Sequence, residues 1–361
     1  MKVYLDNIVF SLQKAGGISK YWAELCLRLN ISEVKSIFIE GASLNIFRRY
    51  LHLQSVKEIL IASSIRRYLP VLKYLSSESI FHSSYYRISL QRSVANITTV
   101  HDFTYEKYRS GLARAIHVLQ KKIAITYSDG IICVSRHTMH DLLSYYPGLD
   151  RSKLIRVIYN GISDEFELLS DSDSRIKETF SELAEKDYLV FVGSRTEYKN
   201  FSVAVDVLRN FSDLSLVVIG GGRFNHEECQ YISDLNSRIY HYQDISNEEL
   251  NVIYNYAFCL IYPSEYEGFG IPILEAMRAG CPVVSTNSSS IPEVTGNCAI
   301  LVDTGSISNF CDAIRMLQSP EYRSSLIRRG IEWSRNFTWD RCYKETRAFY
   351  EEVWNHKFKK I

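Results

Sequence analysis

Tyr262-Pro-Ser-Glu-Tyr-Glu-Gly-Phe-Gly-Ile-Pro-Ile-Leu-Glu-Ala-Met-Arg-Ala-Gly-Cys-Pro-Val-Val-Ser285 is the stretch from which the architecture of this chain can be read. The apolar run 257–262 has the length and bulk of a buried parallel strand, and Pro263 and Gly268 turn it into a loop. Pro272 suits the start of a helix, where its missing N–H would be unpaired anyway. Gly280 and Pro282 stop that helix, and Pro282-Val-Val-Ser285 begins another strand. Strand, loop, short helix and strand make an α/β unit. In open parallel sheets, ligands gather beyond the carboxyl ends of the strands, where helix N-termini aim unpaired N–H groups at anions. The expectation is that Gly270 and Ile271 receive a phosphate. Glu275, read as lying in the first helical turn, would accept hydrogen bonds from a vicinal diol such as ribose, and Glu267 on the loop would serve a second polyol.

Taken singly, Glu275 could merely complement a helix dipole and Glu267 could be a solvated loop charge. Their setting argues otherwise. Two glutamates eight positions apart in Glu267-Gly-Phe-Gly-Ile-Pro-Ile-Leu-Glu275, continued by Gly280-Cys-Pro-Val-Val and Ile291-Pro-Glu293, resemble the signature of the retaining GT-B glycosyltransferases of family 4. The resemblance implies a nucleotide-sugar donor site. In it Glu267 lies near the sugar, Glu275 on the ribose, and Gly268, Phe269, Gly270 and Ile271 on the donor.

Composition is compatible with that reading. The chain has 361 residues, 46% of them hydrophobic, enough for two domains with cores of their own. No apolar run approaches the roughly 18 residues of a membrane span, and Met1-Lys-Val-Tyr-Leu-Asp6 reads as a first strand and not as a signal peptide, which makes a cytoplasmic location the expectation. The 8 cysteines include no Cys-x-x-Cys pair, so they read as buried thiols and not as a zinc site or a disulfide framework. The net charge of +1 hides an asymmetry: residues 1–170 carry 22 Lys+Arg against 14 Asp+Glu, the remainder 20 against 27. A basic half attracts nucleic acid or an anionic membrane leaflet; no nucleic-acid-reading motif is present, which favours the membrane.

Working outward from the N-terminus, a strand at Val3 to Asp6 is followed by Gly16-Gly17 and then by helical apolar spacing from Trp22. Paired glycines before a helix allow close approach of a phosphate, though a Gly-Gly turn is often only a turn, and the spacing is not that of a dinucleotide-binding loop. The position resembles the family's glycine loop, which implies that Gly16 and Gly17 face the donor diphosphate and the acceptor. The run 46–75, with six Lys/Arg and one Glu, reads as basic amphipathic helices that either cover the sheet or dock on anionic lipid. Two strands then end in polar residues, the first leading to Tyr85, Tyr86 and Arg87, the second to His101-Asp102. The first three residues and Asp102 are candidate acceptor ligands. His101 resembles the family's histidine that reaches toward the donor sugar, and Ser135, where a strand turns into a helix, its hydroxyl near the diphosphate.

A polar stretch, 170–175, suits a linker, and a second α/β set begins at Tyr188. There a strand runs into Gly193 and then Arg195 and Lys199, two cations four apart. If Lys199 opens the next helix, both can converge on one diphosphate, Arg through its planar fork and Lys as a point charge. The loop from Tyr242 to Ile245 falls where the family holds the nucleobase. The expected domains are 1–168 for the acceptor, 169–338 for the nucleotide sugar, and a C-terminal helix, 339–361, crossing back to the first. The expected fold is thus α/β, GT-B, two facing Rossmann-like domains with the active site between them.

The resemblance implies transfer of a hexose with retention at the anomeric carbon, with no cofactor and no metal. It assigns Arg195 and Lys199 to the leaving diphosphate and Glu267 to the sugar. Hydrolysis by paired carboxylates would need a dedicated nucleophile about 5 Å from an acid, and none is evident. Asp6-Asn-Ile-Val-Phe-Ser-Leu-Gln-Lys-Ala-Gly-Gly-Ile-Ser19 and Phe81-His-Ser-Ser-Tyr-Tyr-Arg87 look like those of bacterial mannosyltransferases for O-antigen or capsular polysaccharide. That implies GDP-mannose as donor, UDP-sugars next, and a lipid-diphosphate-linked glycan acceptor at the inner face of the cytoplasmic membrane. Two other readings stay open. A nucleotide-sugar epimerase on the same architecture would act on donor alone; a catalytically inactive scaffold subunit would show eroded site residues.

Overall fold

The computed structural model describes every residue except Leu60, Asp171, Ser172, Lys360 and Ile361. The chain forms two compact units, residues 1–161 with 338–361, and residues 162–337. The first is built on a seven-stranded sheet of β1 (Lys2–Asp6), β2 (Lys35–Glu40), β3 (Val56–Glu58), β4 (Ser79–Ser83), β5 (Val94–Val100), β6 (Gly130–Cys133) and β7 (Leu154–Val157). Every pairing is parallel, in the order β3-β2-β1-β4-β5-β6-β7. Parallel strands are covered on both faces, and β5 shows it: all seven residues of Val94–Val100 are buried. The order reverses between β1 and β4, so the crevice beyond their carboxyl ends is where such a sheet takes a ligand.

The last helix, Trp339–Phe358, completes this first core. Trp339, Cys342, Phe349, Tyr350 and Val353 pack with Val3, Leu5, Trp22 and Ile80. Fully burying one such large apolar side chain stabilises by about 1.5–3 kcal/mol. The Tyr350 hydroxyl meets His82 Nδ1 at 2.7 Å, and Lys357 Nζ donates to Asp129 Oδ2 at 2.8 Å. A Cβ at Gly130 would lie 2.5 Å from Val353, so the glycine lets the helix approach β6.

The second unit repeats the plan with β8 (Asp187–Val192), β9 (Leu214–Ile219), β10 (Ile239–Tyr242), β11 (Cys259–Tyr262), β12 (Val283–Thr286) and β13 (Ile300–Val302). They form a parallel sheet ordered β10-β9-β8-β11-β12-β13. Its switch point lies between β8 and β11. The core of Leu189, Phe191, Leu216 and Ile261 is closed by the helices Phe201–Leu208 and Ile307–Met316.

Two expectations change. The break between units falls at 161/162 instead of 168/169, because the segment after Gly161 is tied to the helix Asn247–Tyr256: Glu167 N donates to Asn251 Oδ1 at 3.0 Å and Leu169 N to Asn255 Oδ1 at 2.8 Å. The linker expected at 170–175 falls partly outside the described residues. Among its described residues the run 46–75 holds two four-residue helices, Ile46–Arg49 and Ser63–Arg66, around β3, too short to form the amphipathic helices expected. Its cations are partly internal. Arg48 pairs with Glu40 at 2.5 Å, Arg66 is buried, and Arg67 Nη2 donates to the Tyr85 hydroxyl at 2.9 Å.

Candidate active site

The carboxyl ends at the second switch point carry most of the expected donor residues. After β11 the loop from Pro263 is clipped to the loop after β8: Glu265 N donates to Tyr198 O at 2.8 Å, and Asn200 Nδ2 to Pro263 O at 3.1 Å. Asn200 takes a left-handed φ of 50°, which separates the short turn Glu197–Lys199 from the helix Phe201–Leu208; Lys199 therefore precedes that helix instead of opening it. Lys199 Nζ forms an ion pair with Glu267 and donates to the Tyr262 hydroxyl at 3.1 Å. Burial opposes the charged form of Lys199, but Glu267 and Tyr262 outweigh it, and its pKa ends above the ordinary value. Burial pushes the Tyr262 pKa up as well, so the phenol stays protonated. Glu267 is fixed through its backbone: its N donates to Ser289 Oγ at 2.9 Å, and Ser290 Oγ donates to the carbonyls of Glu267 and Phe269, each at 2.9 Å.

Gly270, at φ 101°, caps the helix Ile271–Arg278, whose first N–H groups have no partner within the helix. Because this helix begins at Ile271, Glu275 stands in its second turn and not its first, so the dipole argument for its charge weakens. Glu275 is half-buried, and its carboxylate helps hold the Tyr254 phenol protonated, after burial itself. Gly193, at φ 124°, leaves Lys199 Nζ 4.0 Å from where a Cβ would sit, so the lysine looks across bare backbone.

Arg195 does something else. Its Nε donates to Glu228 Oε1 at 2.7 Å, Nη1 to Gly220 O at 3.2 Å, and Nη2 to Gly222 O at 3.0 Å and Arg223 O at 2.9 Å. Its guanidinium lies 4.4 Å from the Phe224 ring centroid, and the side chain is 4% exposed. Arg195 is thus engaged by Glu228 and backbone carbonyls and Lys199 by Glu267 and Tyr262, so the two cations share no partner here. Arg195 braces the loop of Gly220, Gly221 and Gly222, all at positive φ, and a Cβ at Gly221 would meet its Nη1 at 2.6 Å. Tyr242 ends β10, with its ring edge-on to Phe180 and its hydroxyl donating to Glu182, and Ile245 follows half-buried in the loop.

In the first unit, Gly16 (φ 156°) caps the helix Gly17–Ile31, and a Cβ on Gly17 would meet nothing within 4 Å, so open space lies before that helix end. His101 follows β5, edge-on to Tyr21 at 5.1 Å; burial, opposed by Asp102 and assisted by Lys121, lowers its pKa to about 4. It is neutral at pH 7. The Asp102 carboxylate accepts from Thr104 N at 2.9 Å. Ser135 is wholly buried and caps the helix Arg136–Tyr145, accepting from Thr138 N and donating to Thr138 Oγ1, both at 2.9 Å, so its hydroxyl is committed within the fold. Arg87 is likewise internal, paired with Asp6 at 2.7 Å and donating to Leu69 O at 2.9 Å, which replaces the acceptor role expected for it.

Tyr85 and Tyr86 stay partly open and meet two residues the sequence did not single out. The His117 ring stacks on Tyr105 at 3.8 Å and lies edge-on to Tyr85 and Tyr86 at 6.0 and 5.6 Å. Burial, Lys121 and Arg67 bring the His117 pKa down to about 4, and its Nδ1 has no hydrogen-bond partner. Neither Tyr105 nor His117 carries a local sequence signal, being 20 and 32 residues from Tyr85. Tyr262 was missed too, although its place as the last residue of a buried strand could have marked it.

Comparison with known proteins bears on the family and the fold. Residues 15–166 match the family model Glycosyltransferase Family 4, and residues 173–333 match Glycosyl transferases group 1. O-antigen chain mannosyltransferase B of Escherichia coli is 37% identical over 103 residues, 28% of this chain and 27% of that protein, so the match spans about a quarter of that relative. O-antigen chain mannosyltransferase RfbU of Salmonella typhimurium is 25% identical over 69% of this chain and 68% of its own. Alpha-maltose-1-phosphate synthase of Mycobacterium tuberculosis is 27% identical over 56% of each. Among solved structures, a sucrose-phosphate synthase of Thermosynechococcus elongatus superposes with a TM-score of 0.76 at 17% identity, covering 99% of this chain and 100% of that one. HepE of Anabaena, solved with UDP-glucose, gives 0.76 at 14% identity, covering 98% and 100%. The fold is that of the GT-B glycosyltransferases.

Proposed function

Since the chain belongs to the group 1, family 4 glycosyltransferases, we propose that it moves a hexose from a nucleotide-diphosphate sugar to a glycan acceptor with retention at the anomeric carbon. The observation that carries this reading is the grouping of Lys199, Glu267 and Tyr262 at the β8/β11 switch point, beside the N-terminus of the helix Ile271–Arg278. As the bond from the anomeric carbon to the diphosphate oxygen breaks, negative charge grows on the diphosphate. Lys199 and the helix N–H groups neutralise it. Lys199 turns from Glu267 to phosphate, and Glu267 is released to orient a sugar hydroxyl. Neutral His101 exchanges a hydrogen bond with the sugar without adding a charge. The acceptor hydroxyl attacks from the face the diphosphate leaves and passes its proton to a phosphate oxygen. With that charge met by Lys199 and backbone, the step needs no metal, and activity should persist in excess chelator.

Mannosyltransferases among the relatives support GDP-mannose as first donor, with UDP-sugars next, and support a lipid-diphosphate-linked glycan of bacterial surface polysaccharide as acceptor. The Tyr85, Tyr86, Tyr105 and His117 cluster suits a sugar face, which stacks on aromatic rings. Working on such an acceptor places the enzyme at the inner face of the cytoplasmic membrane. A melting-point screen against ADP, GDP, UDP and their sugars tests the donor, because a ligand at 100 times its Kd stabilises by about 2.7 kcal/mol. No shift with any of them sinks the reading. Incubation with donor alone, which an epimerase converts and a transferase does not, separates the two enzymes.

A further inference from the structure

The helix Gly111–Tyr127 turns one side to the sheet, burying His117, Lys121, Ala124 and Ile125. On its outer side, Leu112, Ile116, Leu119, Ile123 and Tyr127 recur at helical spacing and are all exposed, Leu112 by 76% and Leu119 by 58%. The stripe does not stop at the helix. Ile123 and Tyr127 share the wall of a cavity of about 320 Å³ with the exposed Tyr68, Leu69 and Leu90. A contiguous apolar face of this extent on a water-soluble surface marks an interaction site.

The charge around it selects the partner. Residues 107–128 contain five Lys/Arg and no acid, residues 61–77 three and none, and residues 84–95 two and none. Of these cations Lys73, Arg92, Arg109, Arg114 and Lys122 are exposed. Counted by unit, residues 1–161 with 338–361 hold 28 Lys+Arg against 15 Asp+Glu, whereas residues 162–337 hold 14 against 26. A second copy laid on this face would bring like charges together and bury the ammonium groups that protein interfaces avoid. Nucleic acid would satisfy the cations but gain nothing from five aliphatic and aromatic side chains. An anionic bilayer satisfies both, taking the apolar stripe at its acyl boundary and the cations among its headgroups.

We propose that the outer stripe of the helix Gly111–Tyr127, together with the Tyr68, Leu69 and Leu90 ledge, is the surface by which this chain docks on anionic lipid. Of the run 46–75, expected from sequence to cover the sheet or dock on lipid, it keeps only Tyr68 and Leu69, and it rests on the proposed function only for the lipid-borne acceptor. The test is co-sedimentation with vesicles of phosphatidylglycerol and phosphatidylcholine, and of phosphatidylcholine alone, at low and high salt. Wild type binds the anionic vesicles and is released by salt. Leu119→Glu with Ile123→Glu lowers the partition coefficient at least about tenfold, since two apolar anchors are lost and two like charges face the lipid. Arg114→Gln with Lys122→Gln, which gives up one hydrogen bond from Arg114 Nη2 to Glu106 O at 3.2 Å, also weakens binding at an unchanged melting temperature, whereas Arg48→Gln with Arg49→Gln leaves it within about twofold. Unchanged binding by both pairs of face variants overturns the proposal, as does wild type that ignores anionic vesicles. A concentration-dependent dimer that Leu119→Glu with Ile123→Glu dissolves would assign the face to a second copy instead. The nucleotide melting shift, measured on the same samples, isolates the outcomes: retained with vesicle binding lost, only this surface fails; absent in wild type, the donor reading fails.

Discussion

Replacing Glu267 by Gln is expected to tighten the binding of free nucleoside diphosphate while almost abolishing transfer. The two effects have opposite signs because Glu267 holds Lys199 in an ion pair, with both side chains only about an eighth exposed, at 12% and 13%. A diphosphate must take Lys199 from that carboxylate and then lie near it. Two unit charges about 6 Å apart interact by about 2.8 kcal/mol at an effective dielectric of about 20, and solvent on the open side reduces this, so removal of the carboxylate should gain about 1–2 kcal/mol. That is a Kd lower by about five- to thirtyfold. Transfer should fall by about 10²–10³, the usual loss when one group aligned on the reacting centre is removed. Lys199→Ala should do the reverse to the nucleotide, weakening it and leaving a half-buried carboxylate without its cation. Calorimetric titration of both variants with the nucleoside diphosphate, followed by transfer assays with the intact donor, reads both numbers. If Glu267→Gln weakens the nucleotide as much as Lys199→Ala does, Glu267 is not a competitor for the lysine and the exchange is wrong.

Arg195→Ala should cost more stability than activity per site would suggest, about 3–5 kcal/mol from an uncompensated Glu228 and three carbonyls left without their donor, read as a lowered urea midpoint. A clamp residue would instead lose turnover at unchanged stability. Gly17→Leu should leave the melting temperature nearly unchanged, because a Cβ there meets nothing, yet block ligand approach and abolish transfer. The His82 pKa is lowered to about 3 by burial and by His101, that of His101 to about 4. Both fall below the ordinary value of about 6.5, so the unfolded chain binds more protons on acidification. Their stabilisation is complete above about pH 6.5 and is lost as the pH falls toward 3–4, and melting curves should drop steeply through that window. His82→Gln should flatten the drop; an unaltered profile would remove His82 as its source. Arg87→Met should cost about 3–5 kcal/mol by stranding Asp6, and the double change Asp6→Asn with Arg87→Met should recover part of it.

How much was legible depended on how local the cause was. Runs such as Leu216-Val-Val-Ile219 announce a strand covered on both faces, and Pro272 and Gly280 bracket a helix by their own backbone chemistry. Glu267 could be placed because its loop follows a strand end directly. Arg195 could not, since its anchor, Glu228, stands 33 residues away and reaches it only after β9 has formed. In the run 46–75, apolar and basic residues alternate as on a helix, but Arg48 is claimed by Glu40 and Arg66 is enclosed, both through β2 and its neighbours. The exposed stripe at Leu112 to Tyr127 was invisible for a related reason. Periodicity reveals that a helix has an apolar side, not that a second one is left uncovered.

The path of the chain between the two units has a consequence for its synthesis. The chain leaves the first unit at Gly161, where a Cβ would collide with Trp339 N at 2.2 Å, and returns at Thr338; within the second unit, Ile162 N donates to Phe337 O at 3.2 Å. The second unit is thus an insertion whose ends meet. On the ribosome it is complete once Phe337 has emerged, whereas the first sheet, though made earlier, still lacks the helix Trp339–Phe358 that covers Val3, Leu5 and Ile80. The part translated first is therefore finished last, and until the final helix arrives its apolar face is open to whatever else is at hand. A chain truncated a few turns early would lose the N-terminal unit and keep the central one.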